Sequence, residues 1–327
     1  MPPPALPRRA FAVSALIATV AAIPAAAAEP TQYRTTKRAP DGAPVELVLY
    51  RRRPATPGPH PVLFLVHGSS ASALPTFDLT VPGQSGYSLM DETVAWGFDT
   101  WTMDHEGYGR SARTAGNSDI ASGVADLAAA ADVIGRETGQ PRMDFLGESS
   151  GALRAGAFAE AHPDRAGRLV LVATTYTGAG SDTLTKRAQQ LEFYRTHTRR
   201  PRDRAMLRSI FTRDHPGTTD PAVADAFADA ELPYGDSIPA GTYLDMTANL
   251  PVVHPDKLRS PVLIIRGEYD GIATLDDLLD FYRKLPNGDR AFVIIPSAAH
   301  SLVTCRMRQA FYRAVRGFLT QPTIGAG

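Results

Sequence analysis

The sequence predicts a doubly wound, mostly parallel α/β sheet carrying an inserted helical cap. Three observations carry that expectation. The strand candidates read as unbroken apolar runs, as in Val62-Leu63-Phe64-Leu65-Val66, which suits a sheet buried on both faces. These runs alternate with segments of helical periodicity along most of the chain. At Gly147-Glu148-Ser149-Ser150-Gly151 a strand pattern turns directly into an alanine-rich helix pattern at a serine flanked by glycines.

Taken in order, the first 28 residues read as a signal segment. Arg8-Arg9 is the positive start, Ala10 to Ile23 is a mildly apolar run, and Ala26-Ala27-Ala28 is a small-residue cleavage site that leaves Glu29 as the mature start. Arg8-Arg9-Ala10-Phe11 also resembles a twin-arginine signal. Pro24 and the many small residues suit a membrane anchor poorly, because a span needs about 20 strongly apolar residues. The expectation is export to the periplasm or the extracellular space, with no membrane attachment after cleavage.

The mature chain opens with a hairpin, Gln32 to Arg38 and Val45 to Arg51, around Asp41-Gly42. Strand and helix then alternate: Pro61 to Val66, Ser88 to Trp96, Phe98 to Met103, Asp119 to Glu137, the strand before Ser149 and the helix after it, and Arg168 to Ala173. From Tyr176 to Asp256, about 80 residues, no good strand is apparent, which is too long for a loop in a compact domain. Leu184, Ala188, Leu191 and Tyr194 mark one amphipathic helix there, and Ala205 to Phe211 and Ala222 to Ala230 mark two more. The α/β pattern resumes at Pro261 to Arg266, Leu275 to Leu285, Ala291 to Ile295 and a closing helix from Cys305 to Leu319. The expected organisation is therefore a signal at 1–28, a core made of 29–175 and 257–327, and a helical cap at 176–256.

Composition narrows the function classes. The chain has 34 basic and 34 acidic residues and is 43% hydrophobic, so it has material for a sizeable core and lacks the basic excess of a nucleic-acid binder. Removing Arg8 and Arg9 with the signal leaves 32 basic against 34 acidic residues, a net charge of −2. Cys305 is the single cysteine, which excludes an intrachain disulfide and a cysteine metal cluster. No glycine-rich phosphate loop follows the first parallel strand, so neither a cofactor nor a metal is expected.

The chemistry starts at Ser149. With 27 glycines in 327 residues, about 0.1 chance matches to G-x-S-x-G are expected, so the strand-to-helix setting counts for more than the letters. A serine nucleophile needs a base, and the base needs an orienting group. Of eight histidines, His300 follows the last strand and precedes the final helix, which places it at the sheet edge where sites of α/β proteins lie. His105 also follows a strand and is a candidate to line the pocket. Asp270 comes four residues after the strand ending at Arg266, and Asp276 or Glu268 are less favourably placed substitutes. Asp104 is read as organising its own turn through Ser111. The N–H groups of Ser69, after the third strand, and of Ser150, at a helix start, are the candidate oxyanion donors.

Together His67-Gly68, Asp104 through Ser111, the Ser149 turn, Gly267 through Asp270 and His300 resemble an esterase-like enzyme of the α/β-hydrolase fold, over about residues 32–320. The resemblance implies Ser149 as nucleophile, Asp270 as acid, His300 as base, and Ser69 and Ser150 as oxyanion donors, acting on a small or medium ester or lactone. Glu148 stands where related esterases often carry histidine, and the Ser70–Tyr87 stretch is longer than the usual connection. Haloalkane dehalogenases and epoxide hydrolases place aspartate at the Ser149 position. Peptidases of the proline iminopeptidase type carry a Gly-Gly-Pro-Gly loop where Ser69-Ser70-Ala71-Ser72 stands here. A peptidase, amidase or perhydrolase using the same three residues is the alternative, and a non-catalytic binding protein of the same fold is a further one.

Overall fold

The computed structural model describes Met1 and residues 29–322, so the signal segment expected at 1–28 lies, apart from Met1, outside the described residues. The chain opens with β1 (Thr31–Arg38) and β2 (Pro44–Arg52), joined at the Asp41-Gly42 turn. After β3 (Val62–Val66) come two short helices, α1 (Ala73–Phe77) and α2 (Leu89–Ala95). Then β4 (Asp99–Asp104), α3 (Ile120–Thr138), β5 (Met143–Glu148), α4 (Ser150–Ala161) and β6 (Ala166–Val172) alternate in sequence.

Between β6 and the next strand of the main sheet lie α5 (Asp182–Ala188), α6 (Leu191–Thr196), β7 (Arg199–Pro201), α7 (Arg204–Ser209), α8 (Pro221–Glu231), β8 (Ser237–Pro239) and α9 (Gly241–Leu244). The chain closes with β9 (Val262–Gly267), α10 (Leu275–Lys284), β10 (Arg290–Ile295) and α11 (Arg308–Thr320).

Eight strands form the main sheet in the order β1-β2-β4-β3-β5-β6-β9-β10. The β1–β2 and β2–β4 pairs are antiparallel and all others are parallel. The apolar runs explain the layering, because parallel strands bury both faces. On one face Val45, Phe64, Phe145 and Ile264 pack against Leu127 and Ile134 of α3, Leu153 and Phe158 of α4, and Phe281 of α10. On the other, Leu65, Leu146, Val170 and Leu263 pack against Leu89 and Met90 of α2 and Phe311, Val315 and Phe318 of α11.

Three sequence expectations need correction. The helix expected through Leu184, Ala188, Leu191 and Tyr194 is two helices. At the junction the N–H groups of Gln189 and Gln190 bond three residues back, to Lys186 and Arg187, and the tighter turns end α5. The same stretch of chain contains strands after all: β7 and β8 pair over only three residues, too few for alternation to be visible, and Pro201 and Pro239 sit in them. The last helix begins at Arg308 rather than at Cys305, which lies buried in the preceding turns with its thiol pKa raised by burial to about 11. The long Ser70–Tyr87 stretch contains α1, and its Ala71, Leu79, Val81 and Tyr87 pack with Leu207, Phe211, Val223 and Phe227 of the inserted segment.

Two buried polar clusters fix the loops at the carboxyl edge of the sheet. Lys37 Nζ lies 2.6 Å from Asp126 and 2.7 Å from Glu106, and Asp126 also accepts a hydrogen bond from His105 Nδ1 at 2.9 Å. The Lys37 and Asp126 side chains are 6% and 0% exposed, so removing the lysine would strand two carboxylates in a dry environment. In the second cluster Glu231 accepts from the Ser72 N–H and hydroxyl, each at 2.9 Å, and pairs with Arg202. This ties α8 to the segment after β3. Lys37→Met should lower unfolding stability by about 3 kcal/mol in urea titrations at neutral pH. A change below about 0.5 kcal/mol would show that the cluster is not held as a buried ion network.

Candidate active site

Ser149 occupies the single-residue turn between β5 and α4, with φ 58° and ψ −124°. A non-glycine residue at positive φ is strained and needs surroundings that enforce it. The flanking glycines show how they do. A Cβ at Gly151 would stand 2.0 Å from the Val66 carbonyl at the end of β3, and one at Gly147 would stand 2.3 Å from the Gly151 carbonyl. Only glycine lets α4 start this close to β3 and β5. Gly68 is less confined, since a Cβ there would stand 3.1 Å from the Glu148 carbonyl and 3.2 Å from Ser149 Cβ.

Asp270 and His300 meet because β9 and β10 end side by side. Beyond them Glu268 N–H bonds the Ile295 carbonyl at 3.0 Å and Tyr269 N–H bonds the Ala298 carbonyl at 2.9 Å. Gly267 permits the approach, since a Cβ there would lie 2.3 Å from the Ala299 carbonyl. His300 Nδ1 then donates to Asp270 Oδ1 at 2.9 Å, with both side chains buried. Burial would raise the Asp270 carboxyl. The adjacent His300, its hydrogen bond, the Ile272 N–H and the Arg266 guanidinium outweigh burial and hold the pKa below the usual carboxylate range. Of the substitutes, Glu268 accepts the Ser297 N–H at 2.8 Å, and Asp276 sits in the first turn of α10.

Ser149 and His300 line one cleft, whose empty space, mouth included, is about 590 Å³. No hydrogen bond joins the two side chains, and nucleophile–base hydrogen bonds are often long in enzymes without bound substrate. Gly68 and Ser69 line the same cleft. Neither the Ser69 N–H nor the Ser150 N–H has an acceptor among the described residues, so both are free to bond a ligand. The loop that carries them is pinned through side chains: Thr242 Oγ1 donates to Ser69 Oγ, and Ser69 Oγ donates to Ser150 Oγ, each at 2.8 Å.

His67 anchors the same loop from beneath. Its Nδ1 donates to the Gly68 carbonyl at 2.8 Å, and its Nε2 accepts the His105 N–H at 3.2 Å. That pattern requires the neutral ring, and burial lowers the pKa of His67 well below the ordinary value. His105 does not line the cleft, contrary to the sequence expectation. It is fully buried, edge-on to His67 and bonded to Asp126, because β4 points it into the layer of α3. Asp104 does organise its turn, accepting from Ala73 N–H, Arg110 N–H and the Tyr50 hydroxyl at 2.7–2.9 Å.

Sequence reasoning missed residues that the inserted segment contributes. Arg187, Ile210, Phe211, Arg213 and Phe227 form part of the cleft wall. Asp214 brings an oxygen to within 4.8 Å of the Asp270 and His300 ligand atoms, and its Oδ2 is buried without a partner among the described residues. Because His300 Nδ1 already bonds Asp270, Asp214 adds negative charge beside an imidazole more readily than it completes a metal site. No local pattern marks these residues, since their contacts with the core residues are all far apart in sequence.

Glu148 is a group of the cleft wall whose ionisation is displaced. Burial raises its carboxyl to about 7; His300 opposes that shift and Asp270 adds to it. Between about pH 4.5 and about pH 7 the unfolded chain has lost this proton while the folded chain keeps it, so stability falls as pH rises across that window. Glu148→Gln should therefore gain in Tm relative to the parent as pH rises from about 4.5 to about 8. Differential scanning calorimetry at several pH values checks this, and a pH-independent gap would contradict it.

Comparison with known proteins places the fold. The family model Hydrolase_4, described as serine aminopeptidase, S33, matches residues 84–304. No curated protein sequence matches significantly. A hydrolase from Pseudomonas aeruginosa PA01 superposes with a TM-score of 0.64 at 20% identity, over 88% of this chain and 98% of that one. Carboxylesterase CesB from Bacillus subtilis gives 0.64 at 17%, over 91% and 94%. A thermophilic esterase from Thermogutta terrifontis gives 0.60 at 20%, over 88% and 98%. At these identities the likeness is one of fold.

Proposed function

The chain belongs to the Hydrolase_4 family of α/β-hydrolases and is a serine hydrolase, and from that premise we propose that it is an exported enzyme that cleaves carboxylic esters through an acyl-enzyme on Ser149. The observation that carries the proposal is a serine held at φ 58° on the rim of a cleft that it shares with His300, whose far nitrogen is 2.9 Å from a buried carboxylate.

The reaction runs in two steps. Ser149 Oγ attacks the ester carbonyl while its proton passes to His300 Nε2, and the carbonyl oxygen becomes an oxyanion facing the Ser69 and Ser150 N–H groups. His300 returns the proton to the departing alkoxide, and the alcohol leaves. A water molecule then attacks the acyl-enzyme, giving its proton to His300, and Ser149 recovers it as the acid is released. Asp270 stays anionic at neutral pH, orients the ring and stabilises the transient imidazolium. The helix that begins at Ser150 aims its positive end at the oxyanion.

An aminopeptidase activity would need a carboxylate to hold the substrate's ammonium group. Glu148 is the one carboxylate lining the cleft among the described residues, and Arg187 and Arg213 line it too. That balance of charge supports ester rather than aminopeptide cleavage.

Ser149→Ala should reduce kcat/KM on short-chain p-nitrophenyl esters by at least about 10⁴-fold while the protein remains folded. A fluorophosphonate probe should label Ser149 in the parent and nothing in the variant. Unchanged turnover, or a label elsewhere, would refute the assignment. For export, the protein recovered outside the cytoplasm should begin at or near Glu29, as read by intact mass. A chain that keeps residues 1–28 there would contradict cleavage.

A further inference from the structure

Arg187 stands between the cleft of Ser149 and a second hollow. It lines both, as do Ser70, Ile210 and Arg213, and the second hollow adds Lys186, Arg200 and Tyr243. Four cationic side chains thus line two neighbouring hollows with a shared wall at Arg187 and Arg213, and Ser149 lines the first of them. Neither Arg187 nor Arg200 forms an ion pair or a side-chain hydrogen bond among the described residues. Their guanidinium carbons lie instead 5.2 Å and 4.5 Å from the Tyr243 ring centroid. Arg213 has a carboxylate, its Nε standing 3.3 Å from Asp214 Oδ1.

From this geometry we propose a specificity site: the enzyme prefers esters whose acyl part ends in a carboxylate, and the Arg187 and Arg200 guanidinium groups bind that carboxylate while Ser149 attacks the ester carbonyl. The inference rests on the ester-hydrolase reading given above.

Three features support it. Clustered guanidinium groups without counter-ions repel one another, and a bound oxyanion removes that cost. Burial, together with the charges of Arg213 and Arg200, pushes the Arg187 pKa down to about 10, as expected for a cation lacking its counter-ion. The planar fork of arginine fits a carboxylate through two parallel hydrogen bonds. Finally, the arginines are tied to the oxyanion loop, because they lie over the Tyr243 ring and the hydroxyl of that tyrosine is 2.8 Å from Ser70 Oγ, one residue beyond Ser69. Tyr243 itself registers the positive field. Burial would raise its phenol, but the charges of Arg200 and Arg187, with the Ser70 bond, lower it.

The test compares p-nitrophenyl hydrogen glutarate with p-nitrophenyl pentanoate, whose acyl chains have the same number of carbons but differ in a terminal carboxylate. The parent should favour the charged ester by about 10-fold or more in kcat/KM, and the preference should shrink as NaCl is raised. Arg187→Gln and Arg200→Gln should each reduce the ratio of the two values at least about 5-fold, and the double variant should abolish it. Because the readout is a ratio, any loss of activity common to both esters cancels. A parent that hydrolyses the neutral ester but shows no preference for the charged one overturns this inference and leaves the hydrolase reading standing. A preference that survives both substitutions overturns it as well. A parent that cleaves neither ester and takes up no fluorophosphonate overturns the underlying reading.

Discussion

The turn at Ser149 is the constraint on which the rest of the structure depends. A non-glycine residue at positive φ survives only where the strand before it and the helix after it are both held. Here β5 lies between β3 and β6 in the middle of the sheet, and α4 packs back so tightly that Gly151 touches the end of β3. The sheet therefore supplies the stability that the turn consumes. In exchange the serine stands clear of both elements, and the first N–H of α4 is left without an internal partner. The nucleophile and oxyanion donor proposed above are consequences of one backbone geometry.

The partners of the serine are assembled by strand order rather than by chain order. In space β9 follows β6, although 89 residues separate Val172 from Val262 in sequence, and β10 follows β9. Their carboxyl ends are drawn together by backbone hydrogen bonds through Gly267, which is why Asp270 and His300 meet across 30 residues. The loop after β3 is held by different means. It carries little regular structure, so His67 below it and the Thr242–Ser69–Ser150 chain of hydroxyls above it replace the ladder that a strand would have.

The electrostatics of the cleft are divided. Beside the histidine stand Asp270, Asp214 and Glu148, of which Asp270 is held ionised by its bonds while burial lifts Glu148 to about 7. On the wall made by the inserted segment stand Arg187 and Arg213, with Arg200 behind them. In the proposed mechanism, negative charge near the imidazole favours the imidazolium that forms as Ser149 attacks. Positive charge farther out acts on the part of the substrate that does not react, where binding energy selects among substrates.

The sequence by itself determined that a mostly parallel sheet forms, the succession of its strands and helices along the chain, and the positions of Ser149, Asp270 and His300 at carboxyl ends. Each depends on a local signal: an apolar run, a helical period, or glycines at a turn too tight for a side chain. It could not decide the break between α5 and α6, the three-residue β7–β8 pairing, or the fact that His105 turns inward, because those follow from contacts made by residues distant in the chain. Nor could it place Asp214, Arg187 and Arg200 at the site. Nothing in their neighbourhoods distinguishes them from surface charges, and only the packing of the inserted segment against the loop after β3 brings Arg187 to the cleft, Arg200 to the hollow beside it and Asp214 close to His300. Reaction chemistry is written in local pattern because it needs a strained turn and strand ends. The wall that meets the rest of the substrate is set by tertiary contacts alone.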